Sequence, residues 1–136
     1  MEREALVPPM NDPHLTEMLR RCPPATHAAA QAFRQSRHAR HVPPIVRGIV
    51  ERYVEPELRP LVRDGDDGLR LVEDLGIDSL SLMEIAVLIE DVLEVTTTDE
   101  GLRRLRTISD VCDFAQRTVE NKARGPGSMT VATSGV

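Results

Sequence analysis

Aromatic residues are almost absent from this 136-residue chain, which contains no Trp, one Tyr and two Phe. A core without aromatic residues has to be built from Leu, Ile, Val, Met and Ala, and such a core suits packed helices better than a β-sheet. Long hydrophobic runs are also missing, because Glu84, Glu90 and Asp91 interrupt the longest apolar stretch before it reaches the ~20 residues of a membrane span. The composition therefore predicts an all-α protein without a membrane span.

Cysteine and histidine are too few and too scattered for a disulfide framework or a metal site. Cys22 and Cys112 lie far apart in the chain, and no histidine follows His41. The spacing matches no zinc site, and a serine hydrolase would need a histidine later in the chain. The first residues include early acids and no apolar stretch, unlike a secretory signal. We therefore predict reduced thiols, a cytoplasmic location, no metal and no catalytic activity.

Negative charge is concentrated in the middle of the chain. Residues 1–41 contain six Arg against four acidic residues, whereas residues 42–120 contain nine Arg against eighteen acidic residues. A domain of this charge is not expected to bind nucleic acid through its phosphates. It is expected to be drawn to basic surfaces on protein partners instead.

Prolines and apolar periodicity divide the chain into three parts. Residues 1–42 are predicted to form a helical extension, with Asp12 and Thr26 as the caps of two short helices. Residues 43–120 are predicted to form the main domain. The pattern places its helices at 45–54, from about 79 to 93, around 102–105 and from 107 onward. Residues 121–136, which are rich in Gly, Ser, Thr and Ala, are expected to form a disordered tail.

One short segment of the main domain carries a chemical motif. Residues 74–80 read DLGIDSL, which places a serine at the start of a long apolar helix and directly after an aspartate. Together with the helices on both sides, this segment resembles the prosthetic-group site of acyl carrier proteins over roughly residues 44–119. The resemblance implies a bundle of three main helices plus one short helix. It also implies a protein that carries acyl thioesters in fatty-acid, polyketide or specialised lipid biosynthesis.

The resemblance assigns roles to Ser79 and Asp78. In that family a phosphopantetheinyl transferase attaches 4′-phosphopantetheine from coenzyme A to the matching serine, and the aspartate helps to hold Mg²⁺ during the transfer. The serine needs no base of its own, because the modifying enzyme supplies one. Helix N–H groups favour a phosphodiester at this place, and Gly76 permits the turn that exposes the hydroxyl. The simpler alternative, compatible with the first, is that Asp78 or Ser79 caps the helix.

The helix that follows the serine is expected to serve both the cargo and the partner enzymes. Its apolar residues cover most of its circumference, which suits either a bundle that shelters an acyl chain or plain core packing. These residues are Leu80, Met83, Val87, Leu88 and Val92. In the family, acidic residues of this helix contact acyl-processing enzymes such as a ketosynthase, acyltransferase or dehydratase. The matching positions are Glu84, Glu90 and Asp91, for which a solvated helix face is the alternative.

Two departures from the family pattern indicate a dedicated set of partners. Ser81 stands where fatty-acid carriers often have an acidic residue. The short helix carries Arg103, Arg104 and Arg106 where acidic residues are usual. The rival hypothesis for the whole chain is a carrier-shaped, helical interaction module that takes no prosthetic group. In either case we expect a monomer.

The extension is expected to fold back onto the acidic bundle. It contains Leu15, Met18, Leu19 and Phe33, which need a place to be buried. Its basic end could alternatively contact a partner or an anionic surface.

Overall fold

The computed structural model describes the backbone of residues 13–134 and the side chains of residues 13–123. Within the described residues the chain forms seven α-helices and no β-strand. The helices are α1 (Pro13–Met18), α2 (Pro24–Ser36), α3 (Val42–Arg52), α4 (Arg59–Arg63), α5 (Ser79–Leu93), α6 (Asp99–Arg103) and α7 (Ile108–Ser134). The all-α prediction is confirmed, with α3, α5 and α7 as the main helices of the bundle and α6 as the short one. In the part of the chain that the structure describes, no helix is long and apolar enough to cross a membrane.

The core of the bundle lies between the apolar faces of α3, α5 and α7. Apolar residues recur on α3 at helical spacing, so that one face of the helix is continuously apolar. Its fully buried members are Val42, Ile45, Val46, Ile49 and Val50. Facing them, Val92 of α5 and Ile108 of α7 are also completely buried. Because each such side chain stabilises the fold by about 1.5–3 kcal/mol, this core sets the mutual positions of the three helices.

The extension packs into the same core. Leu15, Leu19 and Phe33 are each at most 1% exposed. Helix α2 lies so close to α3 that a Cβ atom added to Gly48 would be 1.7 Å from the Oγ1 atom of Thr26. Residues 13–41 therefore fold back onto the bundle, as their apolar residues led us to expect.

Several helix ends differ from the predicted ones. Thr26 does not cap α2 but lies inside it and is buried, because the prolines at 23 and 24 suit the first turn of a helix. Helix α3 likewise begins at Val42, because the two prolines that follow need no N–H partner in the first turn. Asp12, the other predicted cap, lies outside the described residues.

The end of α7 also departs from expectation. The backbone remains helical to Ser134, although the composition from residue 121 onward led us to expect a disordered tail. Glu120, Lys122 and Ala123 have good helix propensity and continue the helix beyond the packed part of α7.

The loop before α5 is anchored to the bundle on both sides. Arg47 of α3 donates two hydrogen bonds of 2.8 Å to the carboxylate of Asp67. These bonds hold the pKa of Asp67 below its ordinary value. Further along, the backbone N–H of Leu71 donates to the carbonyl of Arg106 at 2.8 Å, and that of Ile77 donates to the carbonyl of Leu71 at 3.0 Å. The loop therefore delivers the chain to the start of α5 in a fixed position.

Candidate functional site

Ser79 is the first residue of α5 and is exposed to solvent. The chain approaches it through Gly76, whose φ of 68° lies in the left-handed region that glycine adopts without a steric penalty. Asp78 caps the helix, because its carboxylate accepts a hydrogen bond of 2.8 Å from the backbone N–H of Ser81. This bond lowers the pKa of Asp78. The capping role of Asp78 is confirmed, and the serine beside it is accessible to another protein.

An apolar cavity of about 250 Å³ has Ser79 on its wall. Helices α3, α5, α6 and α7 all contribute to the cavity, and nearly all of its lining side chains are apolar. Examples from the different helices are Val50, Ile85, Ile89, Leu102, Val111 and Phe114. Such a surface leaves a polar ligand without hydrogen-bond partners but offers a hydrocarbon chain close contacts. The site therefore combines an accessible hydroxyl with an adjacent space for an aliphatic group.

The five apolar residues predicted to shelter cargo on α5 have three different environments. Leu88 and Val92 are buried in the core. Leu80 and Val87 are 66% and 53% exposed. Only Met83 of these five lines the cavity, and it is itself largely exposed. One of the five therefore lies at the cavity, because apolar residues surround α5 and its sequence does not indicate which face points inward.

The three carboxylates predicted to bind partners also differ. Glu84 and Asp91 are exposed on α5. Glu90 is half-buried, and its carboxylate accepts hydrogen bonds from the backbone N–H of Thr97 at 2.9 Å and from the hydroxyl of Thr97 at 2.5 Å. Glu90 therefore holds the loop between α5 and α6, whereas Glu84 and Asp91 lie on the surface.

The C-terminal end of α5 is held by the basic end of the extension, in line with the expectation that the extension folds back onto the acidic bundle. Arg34 of α2 donates hydrogen bonds to the carbonyl oxygens of Val92 at 2.8 Å and Asp91 at 3.0 Å. Carbonyls in the last turn of a helix have no partner within the helix, so Arg34 caps α5. Glu94 directly follows the last residue of α5 and has a left-handed φ of 57°. Its carboxylate accepts a hydrogen bond of 2.5 Å from Arg37. This bond lowers the pKa of Glu94.

The arginines of the α6 region have separate surroundings. Arg104 forms an ion pair of 3.0 Å with Glu100 one turn earlier. Arg103 contributes to the wall of the cavity, while its side chain is exposed. Of the arginines in this region, Arg103 therefore lies at the cavity that Ser79 also lines.

An accessible serine at a helix start, beside an apolar cavity in a helical bundle, is the arrangement of a prosthetic-group carrier. The comparison with known families agrees, because residues 58–115 match the family model described as "Phosphopantetheine attachment site". This segment contains all of α5 and α6 and the first part of α7. Over these residues the chain is similar to a family of carriers, and the match implies a phosphopantetheine prosthetic group. The resemblance seen in the sequence is confirmed.

Curated relatives are similar to this chain over the carrier segment. A meromycolate extension acyl carrier protein from Mycolicibacterium smegmatis is 43% identical over 58 residues, which cover 43% of this chain and 59% of the relative. The protein of the same name from Mycobacterium tuberculosis is 51% identical over 49 residues, covering 36% of this chain and 43% of the relative. An acyl carrier protein from Rhodococcus erythropolis is 50% identical over 46 residues, which cover 34% of this chain and 50% of the relative.

The chain spans only about half the length of these relatives. No solved structure matches the chain.

Proposed function

We propose that this protein carries acyl groups as thioesters on a 4′-phosphopantetheine arm attached to Ser79. The observation that carries the proposal is the position of this exposed serine on the wall of an apolar cavity. When bound, the prosthetic group supplies the thiol that forms the thioester. Asp78 stabilises the start of α5 and is proposed to help hold Mg²⁺ during the transfer.

The cavity is proposed to shelter the acyl chain from water. Ile85 and Ile89 of α5 are buried and line it together with Val111 and Ala115 of α7. Contact with an alkyl chain would cover this apolar surface at a gain of about 25 cal/mol per Å². The protein's own contribution is therefore shelter for the cargo, while the chemistry belongs to its partners.

Glu84 and Asp91 are proposed to contact basic surfaces of the transferase and of acyl-processing enzymes such as a ketosynthase, acyltransferase or dehydratase. Both are exposed on the helix that begins with Ser79. Opposite charges at an interface speed up and orient the encounter of two proteins. Glu90 contributes indirectly, because it fixes the loop that follows α5.

The pathway is proposed to be a lipid or polyketide biosynthesis that extends acyl chains. Support comes from relatives named meromycolate extension acyl carrier proteins. We further propose that the protein works as a monomer in the cytoplasm. The location is supported by the two cysteines, Cys22 and Cys112, which are both buried as free thiols.

The attachment is tested by incubating the protein with coenzyme A, Mg²⁺ and a promiscuous phosphopantetheinyl transferase. Intact-protein mass spectrometry should show an increase of about 340 Da, the mass of the phosphopantetheine group. The Ser79→Ala variant should show no increase. Ser81→Ala is the matched control, because it removes a nearby hydroxyl on the same helix, and it should be modified like the wild type. Absence of the increase in the wild type, with a known carrier modified in parallel, would favour an interaction module without a prosthetic group.

A further inference from the structure

Arg103 is the one charged residue on the cavity wall among the described side chains. The polar residues on that wall are Ser79 and Thr97. The hydroxyl of Thr97 already donates to Glu90. Arg103 and Ser79 are thus the two groups of this cavity that remain for recognition of a charged or polar ligand.

Arg103 has no acidic partner, whereas seven other arginines among the described residues form an ion pair. Four of these pairs are Arg47 with Asp67, Arg63 with Glu51, Arg70 with Asp74 and Arg104 with Glu100. Among the residues that the structure describes, the Arg103 guanidinium has no hydrogen-bond or ion-pair partner. A guanidinium without a partner on the wall of the cavity that Ser79 also lines, in a protein with a formal net charge of −5, indicates an anionic ligand.

We propose that Arg103 binds the phosphodiester of the prosthetic group on Ser79. This inference rests on the proposed function, which places one negative charge at the serine. A guanidinium matches phosphate oxygens in both charge and geometry, because its planar fork donates two parallel hydrogen bonds. The carboxylates near the start of α5, such as Asp78, repel the same phosphate, which leaves Arg103 as the attractive group on this wall.

Binding by Arg103 would give the arm a preferred direction. Ser79 begins α5 and Arg103 ends α6, so a phosphodiester held between them lies at the boundary of these two helices. Both residues line the same cavity. Arg103 would therefore keep the base of the arm beside the cavity, and a partner enzyme that extends the arm would have to break this contact.

The contact is expected to be weak enough to be reversible. Because Arg103 is exposed, its ion pair with the phosphodiester should resemble other surface ion pairs. For such pairs the population in which the two groups are in contact exceeds the population in which they are apart by roughly two- to fivefold. Salt should weaken it, since screening at about 1 M reduces the range of such interactions to about 3 Å.

The test compares the modified wild type with the variants Arg103→Gln and Arg104→Gln. Arg104 is the matched control because it directly follows Arg103 at the end of α6 but is paired with Glu100 and does not line the cavity. Intact mass first confirms that all three carry the prosthetic group, and circular dichroism confirms that they fold. The ³¹P NMR resonance of the phosphodiester is then recorded at low salt and at about 1 M salt.

We expect the ³¹P shift of Arg103→Gln to differ from that of the wild type at low salt, while Arg104→Gln matches the wild type. High salt should move the wild-type resonance toward the position seen in Arg103→Gln. Identical resonances in all three modified proteins would show that Arg103 does not bind the phosphodiester. This outcome would also be seen if Arg103 contacted only the acyl cargo. Failure to gain the prosthetic group at all would instead overturn the proposed function, so the two failures are distinguishable.

Discussion

The rest of the molecule binds the C-terminal end of α5 and leaves its N-terminal end exposed. At the C-terminal end, Arg34 and Arg37 of the extension bond to the last turn and to Glu94, and Lys122 of α7 donates to the carbonyl of Glu94. At the N-terminal end, Ser79 is exposed and the following Leu80 is 66% exposed. One end of the helix is thus fixed by three cationic side chains, and the other is left accessible.

This difference shows how a carrier site can be both accessible and well placed. A modifying enzyme needs an exposed hydroxyl, so the start of α5 cannot be covered by its own protein. The position of α5 must then come from contacts elsewhere along the helix. The extension supplies such contacts at the far end, and it also adds Leu15, Leu19 and Phe33 to the core.

Replacing one leucine of the extension and one leucine beside Ser79 by alanine should give the largest difference in stability. Leu19 is completely buried in the extension, whereas Leu80 is mostly exposed beside the serine. We expect Leu19→Ala to lower the free energy of unfolding by about 2–5 kcal/mol, since it leaves a cavity in the core. Leu80→Ala should change it by no more than about 0.5 kcal/mol. Urea denaturation followed by circular dichroism measures both. Equal losses in the two variants would show that the extension is not part of the core.

A smaller effect is expected where the extension and the bundle touch most closely. In an exposed helix, Gly→Ala stabilises by about 1 kcal/mol. In Gly48→Ala the added methyl group would overlap Thr26 of α2, so we expect a net loss of about 1–3 kcal/mol. Combining it with Thr26→Ala, which removes the nearest atom of the neighbour, should cost less than the two single losses added together. A Gly48→Ala protein that melts at a higher temperature than the wild type would contradict the close packing of α2 on α3.

The smallest effect concerns the ion pair at the fixed end of α5. The hydrogen bond from Arg37 lowers the pKa of Glu94 in the folded protein. The stabilisation by this ion pair is therefore fully present at a pH above 4.5, the ordinary pKa of a glutamate. It is lost as the pH falls through the lowered pKa that Glu94 has in the folded protein. Because the pair is exposed, Glu94→Gln should cost at most about 1 kcal/mol near neutral pH.

Denaturation of the wild type and Glu94→Gln over a range of pH checks this sign. The difference between the two proteins should shrink as the pH falls below the lowered pKa of Glu94. Arg37→Gln is the control, because it removes the same hydrogen bond from the other side and should lose part of the same pH dependence, while Arg34 remains 3.6 Å from the Glu94 carboxylate. A difference that grows toward acidic pH would contradict the assignment.

Local signals in the sequence were sufficient for the helix starts near the site. Asp78 caps α5 as predicted. A capping box starts α7, with the backbone N–H of Asp110 donating to Thr107 Oγ1 and the N–H of Thr107 donating to the carboxylate of Asp110, both at 3.1 Å. Such caps depend on residues three positions apart, so a short stretch of sequence contains the whole interaction.

Contacts between distant parts of the chain could not be predicted in the same way. Arg34 and Val92 are 58 positions apart, and nothing near either residue shows that they meet. The composition of α5 has the same limit, because its apolar residues lie on every side and only the packing of α3, α6 and α7 decides which of them face the cavity. The sequence also does not show that Glu90 is half-buried whereas Glu84 and Asp91 are exposed, because this difference depends on the position of Thr97.

The central claim is that the accessible end of α5 takes the prosthetic group on one particular hydroxyl. Tandem mass spectrometry of the modified protein tests it most directly, because a tryptic peptide of residues 71–103 contains both Ser79 and Ser81. We predict fragment ions that place the added phosphopantetheine on Ser79 and leave Ser81 unmodified. An added group on Ser81, or an unmodified peptide from a reaction in which a known carrier is fully converted, would contradict the account.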